Sequence, residues 1–493
     1  MEGFGLRIEY LSLVRMDIVC TDIEMNRFMN VAEAARELNF PCYLVGGFVR
    51  DKILQRATKD ADFVCVGDAL QLAQKAAKKF KPDPTVSLFK NFGTAHFKLS
   101  DGFDLEFVGA RKESYRSDSR KPEVVPGTIE DDQNRRDFTI NTLAISFNEK
   151  DFGQLIDPFE GLQDLHRGLI RTPMLPEQTF SDDPLRMMRA VRFATQLNFT
   201  IVSETFDGIS SQASRIKIIS RERITDELNK IILCQKPSLG FKLLHDTGLL
   251  NHIFPALLEL KGAEFIDGHG HKDNFYHTLQ VLDNVAERSN SLWLRWAALL
   301  HDIAKPATKR FETGHGWTFH GHEVVGGRMV PKIFSQMKLP LGEEMKYVKK
   351  LVELHLRPIS LTKENITDSA IRRLLFNAGH EFEDLMMLCE SDITSKNKQK
   401  VQRYLSNFEL VKERCAQVEA SDQLRNWQPP ITGEIIMETF NLPPSKPVGL
   451  LKDAIREAIL DGHIPNDYHA AYEFMLTKAR ELGVGEKEEK ERE

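Results

Sequence analysis

The stretch that decides the fold of the N-terminal region is YLVGGFVRDKILQRATKDADFVCVG, residues 43–67. Its apolar start is predicted to be a short buried strand. Gly46 and Gly47 end that strand where the backbone can approach another group without a Cβ in the way. Residues 48–55 have helical spacing, so their free N–H groups and Arg50 would face an anion held over the glycines. The stretch therefore indicates phosphate binding, although a glycine pair taken alone is more often a plain tight turn.

Two carboxylates later in the same stretch predict a metal site. Asp60 and Asp62 lead into the apolar run 63–66, a predicted strand, and alternate residues of a strand share a face. Neighbouring carboxylates raise each other's pKa unless a cation lies between them, and hard oxygen ligands suit Mg²⁺. The alternative for this pair is a solvated strand start that binds nothing.

A third carboxylate is expected from HFKLSDGFDLEFVGAR, residues 96–111. The Asp-Gly dipeptide of this segment predicts a hairpin turn, which would leave Asp104 and Glu106 on one face of the second strand. Together with the glycine pair and the two earlier aspartates, these residues predict a metal-dependent nucleotidyl transfer site.

The composition is that of a globular protein with several domains. A chain of 493 residues, 41% of them apolar, is long enough for about three or four domains, each with its own core. Its 66 basic and 72 acidic residues give a net charge of −6. The bulk charge therefore does not favour wholesale nucleic-acid binding, and any RNA contact must come from local patches.

Cysteine usage and hydropathy favour a cytoplasmic protein. The six cysteines are scattered without a CxxC pair, which fits a reducing compartment better than a disulfide scaffold. Charged residues interrupt the N-terminus, and no apolar run is long enough to span a membrane. Neither a membrane span nor a signal peptide is therefore predicted.

A second cluster is NRRDFTINTLAISF, residues 134–147. Arg135, Arg136 and Asp137 are expected to precede a helix, with two guanidiniums and a carboxylate at its N-terminal end. The inward-facing residues of that helix would be Phe138, Leu143 and Ala144. Such an end could bind a triphosphate and a ribose hydroxyl, although Arg-Arg-Asp at a helix start is also common on protein surfaces.

A third cluster is DDPLRMMRAVRFA, residues 182–194. With a proline in the first turn, Asp183 and Arg186 are expected three residues apart on one helical face, and Arg189 and Arg192 follow on the same helix. Cytosine and adenine both present an amino donor beside a ring-nitrogen acceptor, so a carboxylate with a guanidinium would select these two bases. The alternative is a surface ion pair of about 0.2 to 0.5 kcal/mol.

A fourth constellation is separate from the first three. It consists of histidines and aspartates that recur over more than a hundred residues: His277, His301, Asp302, His320, His322, His355 and Asp392. Imidazoles with carboxylates suit a transition metal. Because His301 and Asp302 are adjacent at the end of a predicted buried helix, we expect both at one site, with His322 and His355 able to hold a second metal.

These motifs resemble the class II tRNA nucleotidyltransferase and bacterial poly(A) polymerase family. LVGGFVRD, DAD, RRDFTINTLA, DPFEG, DDPLRMMRAVRFA and ERITDELNKII occur in the order and spacing of that family, from about residue 40 to 255. The resemblance implies catalysis by Asp60, Asp62 and Glu106 with Mg²⁺ on the two aspartates. It implies nucleotide binding by Gly46, Gly47, Arg50, Arg136, Asp137, Asn141, Asp183, Arg186, Arg189 and Arg192. Asp182 and Thr142 depart from the usual glutamate and alanine without removing a needed group.

The histidine constellation looks like an HD-superfamily phosphohydrolase. That resemblance implies Ni²⁺, Mn²⁺ or Co²⁺ on His277, His301, Asp302, His322, His355 and Asp392, with Lys305 suited to a phosphate. In this family setting it also implies action on cyclic phosphates or phosphomonoesters.

The expected fold class is α+β: a small mixed nucleotidyltransferase head on a sheet, followed by an all-α neck, HD domain and C-terminal region. The expected boundaries are an N-terminal extension 1–30, head 31–172, neck 173–260, HD domain 261–400, helical region 401–485 and charged tail 486–493. Residues 426–449 are expected to be a linker and turn, since they are rich in proline.

The sequence therefore predicts an enzyme that adds CCA to tRNA from CTP and ATP by a two-metal mechanism, with a phosphohydrolase module. A poly(A) polymerase shares all the head motifs. A signalling phosphohydrolase whose head only binds RNA or nucleotide is the rival from another class, and the intact pair Asp60 and Asp62 argues against it.

Overall fold

The computed structural model describes residues 18–116, 119–266, 269–270, 273–361, 367–395, 397–422 and 429–484. The expected charged tail and residues 1–17 of the expected extension lie outside these ranges. The chain divides into two compact units, residues 1–255 and 256–493.

The first unit is built on a seven-stranded sheet. In chain order its strands are β1 Cys42–Val45, β2 Asp60–Cys65, β3 Ser87–Phe89, β4 Thr94–Lys98, β5 Asp104–Gly109, β8 Ala144–Ser146 and β9 Leu155–Ile156, and the spatial order is β3-β4-β5-β2-β1-β8-β9. Only β2 and β5 pair in parallel, and every other neighbouring pair is antiparallel. Strands β6 Arg111–Arg116 and β7 Ser119–Pro126 form a separate hairpin.

One face of this sheet is covered by two helices. The opposite face, called the open face below, is exposed only in part, because Val45 and Val64 on it are buried in a cluster with Ile129. Helices α1 Asp22–Leu38 and α3 Ala69–Ala77 bury apolar residues against the strands, for instance Phe28 against Phe63 with ring centroids 5.7 Å apart. Because side chains alternate along a strand, the residues between these buried positions point to the opposite face. The expected boundary at residue 30 falls inside α1, whose apolar face belongs to the core of the head.

The helical part of the first unit follows the sheet. Its helices are α2 Gly47–Ile53, α4 Ile129–Asn134, α5 Gly161–Arg167, α6 Pro176–Asp182, α7 Leu185–Leu197, α8 Ser203–Gln212, α9 Arg221–Ile232, α10 Pro237–Asp246 and α11 Leu250–Ile253. The short strands β10 Leu169–Ile170 and β11 Thr200–Ile201 pair in parallel. Fold class is confirmed as α+β, with a mixed head followed by helices.

The helix expected to follow Asp137 in the segment 134–147 is wrong. The segment contains a 3₁₀ turn, Thr139–Asn141, and then strand β8. Phe138 and Ala144 are buried as expected. Pairing of β8 with the central strand β1 decides the conformation, so tertiary context overrides the local apolar spacing.

The second unit is helical apart from two small hairpins. Its elements are α12 Pro255–Leu258, β12 Phe265–Ile266, β13 His269–Gly270, α13 Asn274–Arg288, α14 Leu292–Leu300, α15 Lys305–Thr308, β14 Arg310–Glu312, β15 Gly316–Thr318, α16 His322–Met337, α17 Glu343–Leu354, α18 Arg357–Ser360, α19 Asp368–Ala378, α20 Phe382–Ser391, α21 Lys398–Asp422, α22 Gly433–Phe440, α23 Lys446–Leu460 and α24 Tyr468–Glu481.

The linker expected over residues 426–449 is wrong in its described part. It contains helix α22, and Ile431, Ile436 and Val448 of this stretch belong to a hydrophobic core shared with α23 and α24. The prolines lie at the helix ends, where they are tolerated because the first N–H groups of a helix have no partner within it.

All six cysteines are free thiols. None of the described helices is both long enough and apolar enough to cross a membrane.

Candidate functional site

The acidic residues of the head lie in two adjacent rows on the open face of the sheet. Parallel pairing of β2 with β5 sets Asp60 beside Asp104 and Asp62 beside Glu106. Burial, followed by the charge of Glu106, raises the pKa of Asp62 to about 7. Burial and the neighbouring carboxylates also raise the pKa of Glu106. Such repulsion among oxygen donors is relieved by a divalent cation, so these residues fit a hard metal ion such as Mg²⁺.

The glycine pair brings a guanidinium to the same place. A Cβ built on Gly46, whose φ is +72°, would lie 2.9 Å from Nη1 of Arg136 and 3.7 Å from Oδ2 of Asp62. Gly46 therefore has to be glycine both for its left-handed backbone and for this close approach. The turn, a guanidinium and a carboxylate converge here, an arrangement suited to phosphate chemistry.

Arg50 and Asn141 are joined beneath this turn. Arg50 is buried and donates from Nη1 to Oδ1 of Asn141 at 2.7 Å. Its other nitrogens donate to the neighbouring Asp51. The expected binding residue Arg50 thus fixes Asn141 and, through it, the segment that carries Arg136.

Asp132 holds the arginine pair and was not among the residues expected from the sequence. It is fully buried and accepts from Nε of Arg136 at 3.0 Å and from Nε of Arg135 at 3.0 Å. Burial alone would raise the pKa of Asp132, but the two guanidiniums lower it below its usual range. The spacing of three and four residues between Asp132 and the arginines is a signal that a helix-based search would find.

Asp137 anchors arginine within the protein. Its Oδ2 accepts from Nε of Arg189 at 2.7 Å, and its Oδ1 accepts from the amide of Asn141 at 2.9 Å and from the N–H of Phe138 at 2.9 Å. Burial opposes ionisation, but Arg189 holds the pKa of Asp137 far below its usual range. A contact between Asp137 and a ribose stays a prediction.

Asp183 is not on the helix that carries Arg186, which corrects the expected shared helical face. Its backbone is extended, with φ −139° and ψ 101°, and α7 begins only at Leu185. The cause is the following Pro184, which disfavours the helical region for the residue before it.

The two residues of this third cluster have separate partners. Oδ2 of Asp183 lies 3.5 Å from Nη2 of Arg223, and Nη2 of Arg186 donates to the carbonyl of Arg135 at 2.6 Å. The described bonds of Asp183 and Arg186 therefore go to other residues, which differs from a surface ion pair between the two.

Three of the expected arginines lie around the ring of Phe193. The guanidinium carbons of Arg50, Arg189 and Arg192 lie 4.9, 5.3 and 3.9 Å from its centroid. Nε of Arg192 also lies 2.6 Å from Oε2 of the buried Glu227. Like charges are held together here by a π face and by a carboxylate. Sequence spacing alone gave no signal of this arrangement.

The histidine constellation of the second unit forms one buried cluster. Asp302 is shared by two groups of residues that each converge within 4.8 Å, His277 with His301 and His322 with His355. Nε2 of His301 is 3.1 Å from Oδ2 of Asp302, while Nε2 of His322 is 3.2 Å from Oδ1. The two oxygens of one carboxylate therefore face two sets of imidazoles.

Each of the four imidazoles has its second nitrogen occupied. Nδ1 of His301, His322 and His355 lies 2.7 to 2.8 Å from the carbonyls of Ala298, Phe319 and Val352, and Nδ1 of His277 lies 2.9 Å from Oγ1 of Thr394. A carbonyl can only accept, so Nδ1 carries the proton in the first three. In the neutral imidazoles the Nε2 lone pairs would then face the cluster, as in metal-ligating histidines.

Asp392 and Lys305 complete this cluster, and His320 lies outside it. Oδ1 of Asp392 is 2.8 Å from Nε2 of His277, and Nζ of Lys305 donates to Oδ2 of Asp302 at 2.6 Å. The side chain of His320 is 83% exposed, and its Nε2 lies 3.9 Å from Oε1 of Glu312.

Charge balance shapes the protonation of the buried histidines. Burial would lower the pKa of His301, but Asp302 and Asp392 raise it to about 10. Burial and the charge of His301 lower the pKa of His355 to about 4. A proton therefore takes the place that a metal cation would fill, and the donor set fits a transition metal.

Three protein-family models match separate parts of the chain. The "Poly A polymerase head domain" matches residues 42–171, the "Probable RNA and SrmB- binding site of polymerase A" matches residues 198–260, and the "HD domain" matches residues 274–388. The sheet lies in the first region, helices α8 to α11 lie in the second, and the four histidines and Asp302 lie in the third. Helices α6 and α7 and Asp392 lie outside the matched ranges.

Whole-chain comparisons agree with these matches. The chain is 32% identical over 439 residues to an A-adding tRNA nucleotidyltransferase of Deinococcus radiodurans, covering 85% of this chain and 92% of that protein. It is 32% identical over 373 residues to a multifunctional CCA protein of Nitrosococcus oceani, covering 72% and 85%. The fold matches that of the Bacillus stearothermophilus CCA-adding enzyme solved with CTP, with a TM-score of 0.66, 22% identity and coverage of 93% and 98%.

The fold and the head site define a nucleotidyltransferase with a head of the poly(A) polymerase type, followed by an HD domain. Within that class, the chain belongs to the tRNA nucleotidyltransferase family.

Proposed function

We propose that the chain adds nucleotides from CTP and ATP to the 3′ end of tRNA without a nucleic-acid template. The observation that carries this proposal is the convergence of Gly46, Arg136 and Asp62 within 4 Å. In the proposed division of labour, the head of residues 31–172 performs the transfer and the neck of residues 173–260 selects the base and contacts RNA. The C-terminal helical region of residues 401–485 is proposed as a separate domain.

The reaction is a displacement at phosphorus. The 3′-hydroxyl of the RNA attacks the α-phosphorus of the nucleotide, a new ester bond forms and pyrophosphate leaves. Asp60, Asp62 and Glu106 would hold Mg²⁺, which when bound as a pair of ions supplies charge neutralisation to the attacking and leaving oxygens. The turn at Gly46 lets the phosphates approach, and Arg136 neutralises their charge.

Base choice is assigned to Asp183 and Arg186. A carboxylate that accepts from the exocyclic amine and a guanidinium that donates to the ring nitrogen recognise the edge shared by cytosine and adenine. Arg186 is supported by the carbonyl of Arg135 at 2.6 Å, and Asp183 by Arg223. Both supports are compatible with one outward-facing hydrogen bond from each residue.

A second candidate is addition of the terminal adenosine alone. The similarity to an A-adding tRNA nucleotidyltransferase over 92% of that protein favours it. Both candidates use the same head residues and differ in which tRNA ends are extended. Poly(A) synthesis would differ again, since ATP alone would then be added repeatedly.

The histidine cluster supports a second activity, hydrolysis of phosphomonoesters or cyclic phosphates. His277, His301, Asp302, His322, His355 and Asp392 would hold Ni²⁺, Mn²⁺ or Co²⁺, which when bound supplies Lewis-acid activation of water. Lys305 would contact the phosphate next to Asp302.

The test uses labelled CTP and ATP, supplied separately and together, on two tRNA primers. One primer lacks the whole CCA end and the other lacks only its final adenosine. CCA addition predicts two cytidines and one adenosine on the first primer. Extension of the second primer alone would support the A-adding candidate, repeated adenosine would indicate a poly(A) polymerase, and no incorporation would contradict the proposal.

A further inference from the structure

A stacked pair of rings lies on the open face of the head sheet. Phe89 of β3 and His96 of β4 stack with centroids 5.7 Å apart and an interplanar angle of 16°. Phe89 pairs with Thr94, and His96 pairs with Glu106 in the sheet register. Since alternate residues share a face, both rings lie on the face that carries the carboxylates. Phe89 and His96 are called the aromatic platform below.

One ring of the platform is exposed to solvent, and the other is oriented by a hydrogen bond. Phe89 is 47% exposed. Nδ1 of His96 lies 3.1 Å from Oδ1 of Asp104, which orients the imidazole beside the phenyl ring. An exposed ring held by a second ring offers a flat apolar surface, and every nucleobase has a π face that can stack on such a surface.

The strand order places the platform and the Gly46 turn on opposite sides of Asp62, so a nucleotide whose phosphates bind at that turn would leave the platform side to the RNA. In the spatial order β3-β4-β5-β2-β1, Gly46 follows β1 on one side of Asp62, whereas the platform lies on the other side. Neighbouring strands are about 4.8 Å apart, so His96 lies two strands, or about 10 Å, from Asp62. A ribose with its base, and one further stacked nucleotide about 3.4 Å beyond it, lie within that reach.

Positively charged side chains lie near the platform, in contrast to the carboxylates of the site. Lys98 shares the open face and pairs with Asp104 in the register, and Lys90 directly follows β3. Both lysines are exposed. The carboxylates repel an RNA backbone, whereas these ammonium groups attract it.

We propose that the aromatic platform stacks on a base at the 3′ end of the RNA primer and so positions the reacting hydroxyl over the carboxylates. The inference rests on the nucleotide addition proposed above and names the part of the RNA that this surface binds. Phe89 and His96 are positioning residues, since neither takes part in bond making.

The test compares two tRNA primers that end at the second C of the CCA end, one intact and one with an abasic 3′-terminal nucleotide. Adenosine incorporation by the full-length chain is expected to be about 5- to 100-fold less efficient on the abasic primer, because one base stack is lost. Phe89→Ala should lower kcat/KM on the intact primer by a similar factor, mainly through the KM for RNA. It should also shrink the difference between the two primers. Phe89→Trp should restore that difference.

Tyr468 provides a matched control. It is also 47% exposed, and it stacks on Tyr472 with centroids 5.7 Å apart at 17°. Tyr468→Ala should leave the ratio between the two primers at its wild-type value. A wild-type ratio in Phe89→Ala would overturn the platform while leaving nucleotide addition intact. A wild-type chain that extends neither primer would instead contradict the proposed function.

Discussion

The two candidate sites collect acidic residues in opposite ways. In the head, the carboxylates stand side by side on a sheet face, and burial with Glu106 raises the pKa of Asp62 to about 7. In the second unit, burial alone would raise the pKa of Asp302, but His301 and Lys305 hold it well below its usual range. The head site therefore carries repulsion that the nearby Arg136 offsets only in part, whereas the histidine cluster is balanced by protons and an ammonium group.

The two sites also differ in what a bound metal ion would relieve or displace. In the head a divalent cation relieves repulsion between carboxylates and displaces a proton only from Asp62, whose pKa is about 7. In the histidine cluster it must displace a proton from His301, whose pKa is about 10. Metal binding to the cluster should consequently strengthen as pH rises, because deprotonated imidazoles are the ligands.

The largest expected effect separates the two sites. His301→Ala with Asp302→Ala should remove hydrolysis of 2′,3′-cyclic nucleotides measured with Ni²⁺, Mn²⁺ or Co²⁺, and should leave nucleotide addition unchanged. His320→Ala is the matched control, since His320 lies outside the cluster and is 83% exposed. Unchanged hydrolysis in the double variant, or none in the wild type, would count against an active cluster. Circular dichroism checks that the double variant is folded.

The next largest effect is expected for Asp183 and Arg186, the two residues assigned to base choice. Asp183→Asn with Arg186→Gln replaces one-way hydrogen-bonding groups by amides, which donate or accept after a side-chain rotation. Each lost charge-assisted bond is worth about 1.5 to 3 kcal/mol, so specificity should fall at least about tenfold per contact. The measurement is kcat/KM for all four nucleotides on one tRNA primer. Discrimination against UTP and GTP that survives the double change would refute the assignment.

A third prediction tests the repulsion in the head directly. The folded pKa of Asp62, about 7, exceeds an unfolded value near 3.9. The folded state therefore binds this proton more tightly than the unfolded state does, and that difference stabilises the fold. The stabilisation is fully present below about pH 4 and is lost as the pH rises through about 7. In metal-free buffer the free energy of unfolding should fall across this range by a few kcal/mol at most, since each pKa unit corresponds to about 1.4 kcal/mol.

Asp62→Asn supplies the control for this pH dependence. Denaturant unfolding of the variant in metal-free buffer should show a shallower loss of stability between pH 4 and about 7, and Mg²⁺ should flatten the wild-type curve. An identical slope in both proteins would show that Asp62 is not strained by its neighbours.

The smallest effect is expected at Asp132. Asp132→Asn keeps the shape of the side chain but removes the charge that orients Arg135 and Arg136, so the KM for the nucleotide should rise several-fold, about 1 kcal/mol, with a smaller change in kcat. Asp131→Asn is the control, because Asp131 caps the start of α4 and is not bonded to Arg136. Equal effects of the two changes would argue against a role for Asp132 in holding the arginines.

The grouping of carboxylates in the head could be predicted from sequence because each pair lies close together on one strand. Asp60 and Asp62 are two residues apart, as are Asp104 and Glu106, and the parallel pairing of β2 with β5 then sets Glu106 beside Asp62. Two of the buried partners could not be predicted in this way. Phe193 reaches Arg50 and Glu227 reaches Arg192 from separate elements, and only tertiary packing brings them together. Asp132 differs from them, because it lies three and four residues before Arg135 and Arg136, a spacing that the sequence does show. Asp183 was misplaced because the expected helix ignored the effect of Pro184 on the preceding residue.

The histidine cluster was predicted by another route, the repetition of one residue type over a long segment. Spacing identified its members but could not exclude the exposed His320. That distinction depends on the hairpin β14–β15 and the start of α16, which direct His322 inward and leave His320 in solvent.

The most direct test of the central claim is nucleotide incorporation by Asp60→Ala and Asp62→Ala, assayed beside cyclic-phosphate hydrolysis in the same preparations. We predict that each variant folds, hydrolyses cyclic nucleotides at the wild-type rate and adds no labelled CTP or ATP to tRNA lacking its CCA end. Incorporation near the wild-type rate in either variant would contradict the assignment of the sheet carboxylates as the site of nucleotidyl transfer.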